Sequence, residues 1–100
     1  VSGRKGDYQR AVQFFQDSLI IAREIGDRRE EVRSLGHLGS AYGELGQYRQ
    51  AIELQQQALT IAREIDDRQG EAGILNNLAV TYASLGQYPR ASELFQQRLA

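Results

Sequence analysis

Three glycine-X-tyrosine triplets, Gly6-Asp7-Tyr8, Gly46-Gln47-Tyr48 and Gly86-Gln87-Tyr88, stand 40 residues apart, and Ala11, Ala51 and Ala91 follow at the same spacing. Pairing each residue from 6 to 60 with the one 40 further on gives 26 identities in 55 pairs. The octet IAREIGDR at 21–28 returns as IAREIDDR at 61–68. Self-similarity at a fixed period of this size marks a chain of stacked supersecondary units, each too small to bury its apolar face alone.

The apolar residues inside each copy follow helical spacing. Leu35, Leu38, Tyr42 and Leu45 form one stripe, repeated by Leu75, Leu78, Tyr82 and Leu85. A second stripe holds Ala51, Ala58, Leu59, Ala62 and Ile65, matched upstream by Ala11, Ser18, Leu19, Ala22 and Ile25. Both patterns place one face of an α-helix against a neighbour. Gly46 and Gly86 are suited to end one helix, and Pro89 falls in the first turn of the next, where its missing N–H costs little. Asp27 and Glu30 have capping-box spacing. No useful stretch alternates with period two. The expected fold is all-α, with helices near 7–26, 28–45, 48–66, 68–85 and 88–100.

Composition adds exclusions. The chain has 100 residues, enough for one modest core, with 41% hydrophobic and 25% charged residues. Twelve basic and 13 acidic residues leave a net charge of −1, so nothing points to nucleic acid or to an anionic membrane as a partner. There is no cysteine, hence no disulfide and no thiolate metal site, and a reducing, cytoplasmic location is expected. Apolar runs are too short for a transmembrane helix, and the N-terminus lacks a signal-peptide pattern. The helical pattern still runs at Ala100, so the chain is expected to be a fragment of a longer array.

The pattern L-x-x-L-G/A-x-x-Y…L-G-x-Y…A resembles the tetratricopeptide repeat. Leu35, Leu38, Gly39, Tyr42, Gly46, Tyr48, Ala51 and Ala58 fall on that motif, and so do Leu75, Leu78, Ala79, Tyr82, Gly86, Tyr88, Ala91 and Phe95. Residues 7–26 match the second helix of a preceding repeat, 28–66 a full repeat, and 68–100 a further repeat, cut short. The resemblance implies a right-handed α-solenoid of antiparallel helix pairs. The usual repeat has about 34 residues; at 40, with its extra residues around R-E-I-x-D-R, this one is similar to the elongated repeats of kinesin light chains and of the Leu-Gly-Asn family. Long bacterial arrays attached to signalling domains are similar too. Gln55 takes the large apolar site that Phe15 and Phe95 fill in the other copies, which leaves open whether it loosens the middle repeat.

Catalytic constellations are missing from the pattern. His37 is the only histidine, and no nucleophile-elbow or phosphate-binding glycine motif is present. The adjacent carboxylates Glu30-Glu31 and Asp66-Asp67 read as solvated helix ends with capping duty. The arginines interleave with acids, as suits salt bridges within and between repeats. A non-catalytic chain without metal or cofactor is expected.

What the resemblance implies for function is surface shape. In that family the first helix of each repeat lines a concave groove, and the second lies outside. Carried over by motif position, Arg33, Gly36, His37, Ser40, Gly43 and Glu44 face the groove from one repeat. Gly73, Asn76, Asn77, Val80, Ala83 and Ser84 face it from the next. These positions differ between the copies while Leu35/Leu75, Leu38/Leu78 and Tyr42/Tyr82 do not, although drift on a solvated face would leave the same contrast. Asn77 matches the family position whose asparagine commonly holds a peptide backbone, and one amide offers both donor and acceptor; a solvated role, or a bond to the neighbouring helix, is the alternative. Asn76 and His37 are lesser candidates. Gly36, Gly43 and Gly73 leave room for a partner segment to approach, or are simply tolerated.

The expected function is protein–protein interaction, with a peptide or helical segment held in the groove. The alternatives are a structural or self-associating array, associating through uncapped ends around Phe14, Phe15, Leu94, Phe95 and Leu99, and a sensor module of a larger regulatory protein.

Overall fold

A computed structural model describes residues 5–99; residue 100 and the side chains of Tyr88 and Leu99, singled out above, lie outside the described residues. Five helices follow one another: α1 (Lys5–Ile25), α2 (Arg28–Glu44), α3 (Tyr48–Glu64), α4 (Arg68–Ser84) and α5 (Tyr88–Leu99). The expected all-helical solenoid is the observed one, with helix ends shifted by up to two residues.

Those ends are set by a recurrent turn. Gly26, Gly46, Asp66 and Gly86 all have positive φ, at 73°, 81°, 56° and 81°. Around each, two backbone bonds close a Schellman motif: Gln47 N–H donates to Tyr42 O (2.9 Å) and Gly46 N–H to Gly43 O (3.0 Å), with the same pairs at Asp27/Ala22, Asp67/Ala62 and Gln87/Tyr82. The next residue starts the following helix. Asp27 and Asp67 accept from Glu30 N–H (3.1 Å) and Gly70 N–H (2.9 Å) respectively. Glu30 does not complete the reciprocal half of a capping box; its carboxylate pairs with Arg33 at 3.7 Å, while Asp27 N–H is spent on Ala22 O.

Each tight turn reverses the chain, so consecutive helices pack antiparallel, and α2 and α4 run the same way. Among the described residues the backbones of α2 and α4 also approach each other, whereas those of α1, α3 and α5 do not, although Arg63 Nη2 of α3 donates to Gln97 Oε1 of α5 at 3.5 Å. The layer is therefore closed on the α2/α4 side and splayed on the other. The core runs between the layers through Leu19, Val32, Leu35, Leu38, Ala58, Ala62, Ile74, Leu78 and Tyr82.

Several expectations need correction. Ile25 was placed on a packing stripe, yet it is 70% exposed, and Ile21 is 56% exposed where its copy Ile61 is only 9%. The reason is neighbours: α3 packs against both α2 and α4, but among the described residues α1 packs against α2 alone. Leu85 also lies outside the core, at 40% exposure. Glu31 is no solvated helix end. It is buried and receives Arg23 Nε at 3.3 Å and Arg28 Nη1 at 3.4 Å, and Arg28 reaches on to Glu64 at 2.7 Å. Forty residues later Arg63 and Glu71 repeat the first of these pairs at 3.0 Å. Arg23 and Arg63 of the octets, with the repeated acids Glu31 and Glu71 just beyond them, thus tie successive helices across their turns, each exposed pair contributing roughly 0.2–1 kcal/mol.

Gln55 does not loosen its repeat. It is 1% exposed, and Thr81 Oγ1 lies 3.1 Å from its Oε1. Position 81 is alanine one repeat earlier, where the partner of Ala41 at the same separation is Phe15. An apolar pair has been exchanged for a hydrogen-bonding one.

Among the described residues Asp66 alone holds a left-handed turn without being glycine. Asp66→Gly is expected to stabilise the chain by about 0.5–1 kcal/mol, because relief of the Cβ strain outweighs the added unfolded-state entropy. Urea denaturation measures it; a lower midpoint would contradict the turn geometry.

Candidate functional site

The facing surfaces of α2 and α4 enclose two adjoining cavities, and Asn77 borders both. The first, of about 350 Å³, lies toward the N-terminal ends of the two helices. Arg33, Gly36, His37, Gly73 and Asn77 line it, together with Arg29, Val32, Asp67, Gln69, Gly70 and Ile74. The second, of about 170 Å³, lies toward the C-terminal ends. Ser40, Gly43, Glu44, Asn77, Val80 and Ser84 line it, with Tyr48, Gln55 and Thr81 added. Asn76 and Ala83 line neither; both are half-buried, and Ala83 packs against the core.

The helical period explains why these side chains converge. Arg29, Arg33, Gly36/His37, Ser40 and Gly43/Glu44 step by three or four along α2, as do Gln69, Gly73, Asn76/Asn77, Val80 and Ser84 along α4. Parallel alignment then sets the two rows face to face. Arg29 and Gln69 were missed in the sequence, though each lies one turn before an expected groove residue. Tyr48 was read only as turn punctuation. Gln55 and Thr81 could not be found from a groove-face pattern, since Gln55 belongs to α3 and Thr81 to the buried side of α4.

The walls differ in character. The first cavity carries the guanidinium groups of Arg29 and Arg33 with one carboxylate, Asp67, which is committed to capping α4. The second carries one formal charge, Glu44. His37 does not stand free: its ring stacks on Phe15 of α1 with centroids 5.0 Å apart and planes inclined by 25°. Ser84 Oγ donates to Val80 O at 3.0 Å, a common way for a helical hydroxyl to satisfy itself. Among the described residues no group of three or more His, Asp or Glu side chains could hold a metal ion.

The small residues divide by cause. A Cβ on Gly36 would stand 2.7 Å from Ile74 Cδ1, so the space that glycine leaves is occupied by the chain's own side chain. A Cβ on Gly39 would stand 2.7 Å from Gln55 Cγ and 3.1 Å from the backbone oxygen of Ala51. Gly73 is different: nothing lies within 4 Å of its missing Cβ, and the residue is exposed on the groove wall.

One substitution should therefore have opposite effects at two glycines. Gly39→Ala is expected to cost about 1–3 kcal/mol through overpacking against α3. Gly73→Ala should gain about 0.5–1 kcal/mol from helix propensity. Thermal unfolding of the two variants decides it, and equal shifts would refute this account of the glycines.

Comparison with known proteins adds the family. No sequence among the curated proteins matches closely enough to lend the chain an activity. The crystal structure of the TPR domain of Arabidopsis FLU is similar in fold, with a TM-score of 0.85 and 24% identity, covering 92% of this chain and 77% of that one. The family model described as tetratricopeptide repeat matches residues 2–64 and again residues 45–100. With the 40-residue period, the helix pairs and the groove in place, the chain belongs to the tetratricopeptide repeat family.

Proposed function

We propose that the chain is a non-catalytic adaptor module that binds a peptide or helical segment of another protein in the groove between α2 and α4. Tetratricopeptide folds generally serve protein–protein interaction, and the observation that supports the finer reading is the pair of cavities meeting at Asn77. Asn77 is half-buried, and its side-chain amide makes no hydrogen bond to another described residue. It offers a donor and an acceptor to an extended backbone. Arg33 acts at one margin and Glu44 at the other, tuning which peptides fit. The location proposed is cytoplasmic, with neither nucleic acid nor membrane as partner; among the described residues no helix is long and apolar enough to cross a membrane.

Proteins recovered from the native host by the wild-type chain should be lost, or bound at least tenfold more weakly, by the Asn77→Ala/Arg33→Ala double variant. If every recovered partner bound both chains equally, the assignment of the groove would be wrong.

A second reading, self-association, has its own observation. Phe14, Ile21 and Ile25 on α1 are 65%, 56% and 70% exposed. Sedimentation velocity across a hundredfold concentration range tests it. Reversible dimerisation that Ile21→Ser/Ile25→Ser abolishes would establish stacking through α1, and a concentration-independent monomer would remove this reading.

A further inference from the structure

The second cavity has a floor that does not come from the groove helices at all. Gln55 of α3 reaches between α2 and α4 and lines it, although the residue is only 1% exposed. One end of its amide meets Thr81 Oγ1 at 3.1 Å. The other end donates to no described residue, yet no sealed side-chain nitrogen or oxygen is left without a partner. That end is therefore not fully sealed, and the cavity is the space that Gln55 lines. Thr81 carries one proton and meets two acceptors, since Asn77 O lies 2.9 Å from the same hydroxyl. When the proton goes to Asn77, the amide turns over and donates to Thr81 instead. In either orientation one polar end of Gln55 faces the cavity.

A polar group held this deep is costly to leave without a partner, and at this position the other two copies carry phenylalanine, Phe15 and Phe95. Its surroundings restrict what could meet it. The cavity, about 170 Å³, has room for one side chain. Glu44 is its only formal charge and disfavours a carboxylate. Gln55 presents a donor in one orientation and an acceptor in the other, so a group that carries both can be met in either. A hydroxyl does so on a short stem; a carboxamide does so on a stem that can reach a floor built by the outer helix layer.

We infer that this cavity is a specificity subsite for the side-chain carboxamide of an asparagine or glutamine in the bound peptide, read from below by Gln55. The inference rests on the peptide-groove reading and adds the chemistry of one anchor residue. Thr81 positions the amide, and Asn77, on the rim between the two cavities, holds the backbone beside it.

The test uses peptides selected from a random dodecamer display library on the wild-type chain. Gln55→Phe/Thr81→Ala serves as the comparison protein, because it installs the residues that stand at the corresponding positions one repeat earlier, Phe15 and Ala41. Circular dichroism first shows that it melts as a folded helical protein. The selected peptides should share an asparagine or glutamine. Replacing that residue by its acid or by leucine should weaken binding at least tenfold on the wild type and less than twofold on the double variant, a coupling read as a double-mutant cycle. Peptides that bind and lose affinity with Asn77→Ala, but carry no shared carboxamide or respond equally on both proteins, overturn the subsite alone. A selection that yields no binder, or only binders indifferent to Asn77→Ala, overturns the groove reading and the subsite with it.

Discussion

Every reversal of this chain passes through a left-handed residue, and those residues fall at 26, 46, 66 and 86, one every half repeat. The turn geometry is identical each time: a six-to-one and a five-to-two backbone bond close the ending helix, and the next residue opens the following one. Because the turns are tight and equivalent, helix directions alternate and all odd-numbered helices lie in one layer. The parallel approach of α2 and α4, and hence the groove between them, follows from that regularity. The ion pairs carried by the repeated octets add to the same junctions, where Glu31 gathers two arginines and Arg63 reaches Glu71. At Asp66 the geometry persists without glycine, and α3 still packs against α4 there.

Much of the architecture was legible because it is written in periods. Helical spacing and a 40-residue repeat are local or self-referential signals, and five helices emerged with ends displaced by two residues or fewer. What escaped was non-local. Ile25 and Ile65 both end an I-A-R-E-I run, yet one is 70% exposed and the other packs on the core, since only the second has helices on both sides. Glu31 resembled any exposed acid until two arginines from separate elements converged on it. Gly36 looked like an opening for a partner, but a side chain two turns into α4 fills it.

The residues that line the cavities follow a related rule. Leu35/Leu75, Leu38/Leu78 and Tyr42/Tyr82 are kept between copies while the positions on the facing walls of α2 and α4 vary, and the helix period puts those varying positions on a common wall. Residues from another layer follow no such rule. Gln55 was visible as an oddity in an apolar stripe, but its consequence depends on Thr81 across a helix interface and on a cavity that two further helices enclose. The account of function now rests on a shared boundary residue, Asn77, between a basic chamber near Arg29 and Arg33 and a smaller one with a carboxamide floor. Under the proposed groove reading, such a pairing would give a bound segment direction as well as position.

The most direct measurement of the central claim is a chemical-shift map of the isotopically labelled chain, titrated with a peptide enriched from the random library. Backbone amides at Arg33, Gly73, Asn77 and Val80 should shift together and saturate with one affinity, while those of the outward side of α3 stay in place. Shifts confined to α1 around Phe14, Ile21 and Ile25, with α2 and α4 unmoved, would contradict the account.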